Sequence, residues 1–208
     1  MRDAVRKYAV VEPFAVFILI MAYIWDLRFT HPAFWVAIFL VMLASHHVRG
    51  EDAGMLGFRA RNLRECLETY APVLLFFTLL MLASGILLET TRPIRFDQGV
   101  LSWAAYLPWG LFQQYILNGY FLNRLDASLG RRTAPVVSAA LFSGAHTPNW
   151  FLMAVTLLLG YCCTILYRRY KNLYFLGIAH GTVGFLLYLV VPDSISHHLN
   201  VGPGWFRH

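Results

Sequence analysis

The sequence predicts an all-α, polytopic transmembrane bundle of about seven helices, forming a single integral membrane domain over residues 1–208. Three observations lead there. Hydrophobic residues make up 58% of the chain and charged residues only 13%. That is about half the charged share usual in soluble domains, too little polar material to cover a water-exposed surface. The apolar residues are gathered into runs of helical length, with no alternating ten-residue pattern of the barrel type. The basic residues fall mainly in every second connection, as the positive-inside rule requires.

The runs, in order, are residues 8–25, 31–45, 70–88, 101–125, 134–147, 149–167 and 172–191. The first follows Arg2, Arg6 and Lys7, and no A-x-A-like cleavage site comes after it, so no cleavable signal peptide is expected. Between the second and third runs lies the one long polar stretch, "VRGEDAGMLGFRARNLREC", 48–66. Asn62 is placed to cap a helix beginning at Leu63. The segment that follows reads either as an interfacial lead-in to the third span or as an ordinary connector. The fifth run is strained. Only 12 residues separate Pro135 from Pro148, and they span about 18 Å of helix. Such a piece either stops at mid-depth, shielded by neighbours, or continues through a kink at Pro148, and both place His146 inside the membrane layer. Gly202, Pro203 and Gly204 mark a loose end, with Trp205 and Phe206 at the interface.

With a cytoplasmic N-terminus, 13 basic residues lie inside and four (Arg28, Arg92, Arg95 and Arg207) outside, which puts the C-terminus outside. The net charge of +6 then reports topology and contact with anionic lipid, and no nucleic-acid motif accompanies it. A multi-pass location in a bacterial-type inner or plasma membrane is expected. Cys66, Cys162 and Cys163 have no C-x-x-C spacing, so neither a disulfide framework nor a zinc ribbon is expected.

The fourth run contains "LFQQYILNGYF", in which three amides stand where lipid-facing sequence would place leucine. On a helix Gln114 and Asn118 face the same way, with Gln113 about 100° round. One such amide is commonly helix-to-helix glue; three together need polar partners away from water. His146 follows Phe142 by four residues in "FSGAH", and an intramembrane histidine is a candidate functional group. His180 lies near the middle of the last run, where Gly177, Gly181 and Gly184 form a stripe that lets a neighbouring helix press close. His46, His47, His197 and His198 fall at membrane edges or in the tail and are expected to be interfacial or solvated.

These residues, in this order, resemble the CPBP family of intramembrane proteases, which includes the CAAX-processing endopeptidases and bacteriocin-processing homologues. "QQYILNG", Gln113 to Gly119, stands in the place of the family's E-E-x-x-x-R motif. "FSGAH" matches F-x-x-x-H, and "HGTVG", His180 to Gly184, half matches H-x-x-x-N. The loop "LGFRARNLREC" is also similar, so the resemblance covers roughly residues 56–190. It implies an endopeptidase acting on a membrane-associated, hydrophobic or lipid-modified peptide. It implies Gln113, Gln114, Asn118, His146 and His180 at the catalytic positions, and Phe142, Asn149 and Gly184 at the substrate. No cofactor is implied.

The departure from the family pattern is chemical. A glutamate takes a proton from water; an amide is far too weak a base to do so. The Glu–Arg pair is replaced at both ends, leaving a neutral Gln–Asn pair and no stranded charge. Three readings follow. The chain is an endopeptidase of variant mechanism, with His146 or His180 as base, or with both holding a metal ion whose ligand set would be underfilled. It is a pseudoprotease that binds a hydrophobic peptide or lipidated partner. Or it is a structural membrane subunit, which accounts for the amides but not for the order of the motifs.

The charge distribution generates a direct test. A cysteine reporter placed beside Arg131 is expected to react only with reagent on the cytoplasmic side; strong labelling from outside would reverse the topology.

Overall fold

The computed structural model describes residues 2–206, with side chains from residue 10 onward, so Arg207 lies outside the described residues. Seven principal helices run in chain order: α1 (Arg2–Ala22), α2 (Phe34–Val48), α3 (Leu63–Leu87), α4 (Phe96–Gln114), α5 (Asn123–Gly144), α6 (Trp150–Tyr170) and α7 (Leu173–Val190). No strand occurs among the described residues. The fold is the expected helical membrane bundle. Four stretches are long and apolar enough to cross a bilayer, namely Val10–Thr30, Leu63–Leu87, Trp150–Tyr170 and Leu173–Val190, and Phe34–Val48 is apolar but shorter. Helix α3 turns Leu75, Phe76 and Leu79 outward. An exposed apolar face of that extent is stable only against lipid.

The boundaries differ from the sequence reading in three places. α1 runs on through a π-helical turn, Tyr23–Leu27, into Arg28–Thr30. α4 continues through a π-helical segment, Tyr115–Leu122, into α5, and the rod breaks only at Gly130, whose φ of 77° a side chain would resist. The short fifth run ends at Gly144; a turn carries the chain past Pro148 before α6 begins, so there is no kinked continuation. Asn62 does precede α3, but its side chain does not cap it. It donates to the Tyr170 carbonyl at 2.7 Å and accepts from Asn172 at 2.8 Å.

Those two bonds belong to a clasp that holds the 48–62 loop against the turn between α6 and α7. Leu173 N donates to Gly57 O (2.7 Å), Tyr167 OH to Leu56 O (2.8 Å) and Asn172 Nδ2 to Arg59 O (2.7 Å). Gly57 has a φ of 97°, and a Cβ there would stand 2.8 Å from the Tyr167 ring. Only glycine fits both the conformation and the space.

The closest helix contact is between α4 and α7. A Cβ on Gly181 would sit 2.6 Å from the Tyr106 carbonyl oxygen, and one on Gly110 would sit 2.5 Å from Gly181 N. The glycine stripe therefore does what the sequence predicts, and the helix pressed into it is the one that carries the amides.

An ion network ties α1, α2 and the loop to the start of α5. Arg124 is 2% exposed. It grips Glu51 with two parallel bonds of 2.9 and 2.8 Å and reaches Glu12 at 3.1 Å. Glu12 also accepts from Tyr120 (2.9 Å), Ser45 and Arg49. His46, expected to be interfacial, is instead buried here, with Nδ1 2.6 Å from Glu51 and 2.8 Å from Arg124. The reason is charge balance. Two carboxylates and two guanidinium groups cancel, so the network can be desolvated as a unit, and it takes in the adjacent imidazole.

Burial by itself would raise the Glu51 carboxyl, but bonds from Arg124 and His46 and the Arg124 charge outweigh it, holding Glu51 below its ordinary value of 4.5. A carboxylate whose value is lowered on folding contributes stability above its unfolded value and loses it as pH falls through the folded one. In detergent the protein is therefore expected to keep its melting temperature down to about pH 4.5 and to lose stability below it, and Glu51→Gln should flatten that acid limb. Arg124→Gln leaves Glu51 without its guanidinium, while Glu12 keeps Arg49, and should cost about 3–5 kcal/mol at neutral pH. Thermal melts of the two variants across pH 3–7 check both.

Candidate functional site

The site is built on the α4–α7 contact. Because the two backbones touch at Gly110, Gly177 and Gly181, the next residues along each helix meet side by side. Gln114 Nε2 donates to His180 Nδ1 at 2.9 Å, and Asn118 Nδ2 donates to Gln114 Oε1 at 2.7 Å. Gln114 and Asn118 are both fully buried. Cys163, on α6, lines the same cavity as Gln114. The Gln114 amide thus uses its oxygen and its nitrogen, and its orientation is set.

The π-helical segment directly after Gln114 is a local departure that such sites often carry. Wider helical turns change which carbonyls find a partner, and two side chains attend to them. Ser138 Oγ donates to Leu117 O at 2.8 Å, and Asn123 Nδ2 to Gly119 O at 2.9 Å.

Phe142 is the hinge of the aromatic half of the site. Its ring centroid lies 5.1 Å from that of His146 and 5.9 Å from that of His180, edge-on to both. His146 stands in the turn after α5, and its Nδ1 is 2.8 Å from the Phe142 carbonyl oxygen. A carbonyl only accepts, so His146 carries its proton on Nδ1 and presents the lone pair of Nε2. His180 has the reverse arrangement. An amide nitrogen only donates, so Nδ1 accepts and the proton sits on Nε2. One histidine can take a proton, and the other can donate a hydrogen bond.

Both histidines, Gln113, Gln114, Phe142 and Gly184 line one cavity of about 1260 Å³. The cavity also takes in Cys162 and Cys163, and its walls are mainly apolar side chains from α1–α4, α6 and α7. No carboxylate lines it. Two of the expected site residues are placed elsewhere. Asn118 lies behind Gln114, away from the cavity wall, and its Oδ1 has no partner. Asn149, expected at the substrate, is a structural residue. It is buried, caps α6 by accepting from Leu152 N (3.1 Å), and donates to the carbonyls of Ser196 (2.9 Å) and Asn200 (3.0 Å). Its oxygen is used in capping α6 and its nitrogen in fastening the C-terminal segment.

Among the described residues no three His, Cys, Asp or Glu side chains are grouped to hold a metal. Sequence reasoning missed Cys163, whose role as a neighbour of Gln114 rests on α6 packing that no local pattern announces. It also missed the Glu12–Glu51–Arg124 network. The signal for that was available: a glutamate inside the first apolar run needs a cationic partner.

Residues 95–186 match the family model described as Rce1-like, Type II CAAX prenyl endopeptidase Rce1-like. No curated protein and no solved structure matches the chain. The matched segment runs from the start of α4 nearly to the end of α7 and contains all three motif segments. The CPBP resemblance drawn from those motifs is thereby shown over this part of the chain.

The Gln114–Asn118 bond predicts a coupling. Gln114→Glu places a carboxylate in a fully buried site with no cation, and Asn118→Arg does the converse; each should cost about 3 kcal/mol or more. The double variant restores an ion pair at the same four-residue spacing and should be more stable than the sum of the singles, by roughly 0.5–3 kcal/mol of coupling. A thermal double-mutant cycle in detergent measures it; a double variant worse than additive would mean that the two positions do not share an ion-pair geometry.

Proposed function

We propose that the chain is an intramembrane endopeptidase of variant mechanism, acting on a hydrophobic or lipid-modified peptide bound in the α4–α7 cavity. The family relationship over residues 95–186 is the premise. The observation that carries the proposal is the complementary state of the two histidines against Phe142. In the proposed reaction His146 Nε2 takes a proton from water, and the hydroxide adds to the peptide carbonyl. His180 Nε2–H, fixed by Gln114, donates to the developing oxyanion. His146 then returns the proton to the leaving nitrogen as the C–N bond breaks. Gln113 lines the cavity with its amide available to orient the peptide.

A second reading is favoured by one observation: Gln114 is engaged on both its oxygen and its nitrogen and cannot itself activate water. In that reading the cavity binds the peptide without cleaving it. The two are separated by measuring binding and cleavage on the same protein. Purified wild type in detergent is expected to cleave a candidate membrane peptide. His146→Ala should reduce kcat by about 10²–10⁴-fold, the range of a general base, with peptide affinity little changed. Binding without any cleavage by the wild type establishes the second reading, and an unchanged rate in His146→Ala removes His146 from the chemistry.

A further inference from the structure

Part of the cavity wall has no role in the proposed reaction. It consists of Tyr23, Ile24 and Arg28 from the end of the α1 rod and of His198, Leu199 and Val201 from the C-terminal segment, which is held to the His146 turn by a bond from Gly202 N to Thr147 O (2.8 Å). Arg28 is the only arginine or lysine in the lining, and no aspartate or glutamate is present to balance it. It forms no ion pair among the described residues. Its Nη2 donates to the Val201 carbonyl at 3.2 Å, and its guanidinium lies 4.6 Å from the centre of the Phe29 ring. Its Nε–H is buried without an acceptor.

The neighbouring cations behave differently. Arg92 grips Asp193 with both nitrogens, and Arg95 is paired with Asp97. Among the described residues Arg28 is therefore the one cation on this side of the bundle that faces an apolar cavity with donor capacity unused. Around it Trp25, Phe29 and Trp35 are exposed, the kind of aromatic setting found where a membrane helix meets the headgroup region.

An apolar chamber of about 1260 Å³ with one unbalanced guanidinium at its edge is complementary to an amphiphile with an anionic head. The end of an apolar span, flanked by exposed tryptophans, favours a lipid over a free anion or a peptide terminus. We infer that the cavity holds one anionic phospholipid, its phosphate on Arg28 and an acyl chain directed toward Gln114 and His180. Phosphate oxygens accept from the guanidinium N–H groups that the Val201 carbonyl leaves unused, and the acyl chain covers apolar wall that water would otherwise wet. The lipid is distinct from the peptide of the proposed reaction. Its binding does not require that reaction to occur.

The test is lipid retention in native mass spectrometry, on the full chain purified in mild detergent with equal amounts of phosphatidylglycerol and phosphatidylcholine. Wild type is expected to keep one phosphatidylglycerol with a preference of about tenfold or more, the scale of one charge-assisted contact. Arg28→Gln should abolish the preference and Arg28→Lys should keep most of it. Arg95→Gln, which removes an exposed cation outside the cavity, should leave it unchanged. Equal retention of the two lipids by wild type overturns the inference without recourse to any variant, so it stays testable even if Arg28→Gln fails to fold. An equal loss in Arg28→Gln and Arg95→Gln also overturns it, by showing general surface attraction. So does displacement of the lipid by millimolar inorganic phosphate, or by a peptide with a free C-terminal carboxylate, because the site would then belong to the anion or the peptide. Loss of peptide cleavage with lipid preference intact bears on the proposed reaction alone.

Discussion

The backbone contact between α4 and α7 is the constraint from which the site follows. Three glycines, Gly110, Gly177 and Gly181, let carbonyl and amide groups of the two helices approach to distances that a single methyl group would forbid. At Gly110 and Gly181 backbone meets backbone, and at Gly177 the Leu111 backbone and side chain press on the helix, so the relative rotation and height of the helices are closely fixed. One consequence is a side-chain bond one turn further on, between Gln114 and His180. A site assembled this way tolerates little substitution beneath it, because interiors transmit rather than absorb a misfit. It tolerates changes of chemistry in the side chains above, provided they remain paired.

That distinction explains how an amide pair can stand at positions the family fills with charge. In a low-dielectric interior a Glu–Arg pair and a Gln–Asn pair are both acceptable, whereas either hybrid strands an ion. The neutral pair keeps the geometry and gives up the base. Proton transfer then falls to whichever group in the cavity has a lone pair unused, and His146 Nε2 meets that condition because its other nitrogen is held by Phe142 O. The cost shows at Asn118, whose Oδ1 has no hydrogen-bond partner. The carboxylates of the protein's buried network, Glu12 and Glu51, are on a different side of the bundle and are committed to Arg124.

Much of this was legible in the sequence because it rests on period and polarity. The seven apolar runs became seven helices, and the Gly177–Gly181–Gly184 stripe found its partner helix. Gln114, His146 and His180 came together because each breaks an apolar pattern on a face that has to be buried, and Phe142 stands one turn before His146 on the same face. What was not legible depends on contacts between distant segments. The π-helical segment after Gln114 leaves no mark in hydrophobic periodicity, yet it is part of what sends Asn118 behind Gln114 and away from the cavity. Asn149 precedes an apolar run and follows a motif histidine; only the path of the C-terminal segment reveals that its amide is spent on Ser196 and Asn200. His46 looked interfacial because it ends an apolar run, and its burial depends on Arg124, nearly eighty residues away in sequence.

The absence of acids from the cavity wall also sets the potential of the whole cavity. A chamber with no carboxylate on its wall and a guanidinium at one edge attracts negative charge, and apolar walls prevent water from screening it. For the hydrolysis proposed, that field acts in the favourable direction at the transition state, where an oxyanion forms from a neutral carbonyl. It acts unfavourably on protonated His146, which the reaction requires as an intermediate state and which no nearby anion stabilises. An amphiphile with its phosphate on Arg28 would reduce that penalty, since a buried negative charge within the same cavity favours the imidazolium. Arg28 and the two histidines, which line one cavity, are thus electrostatically connected whether or not their occupants touch.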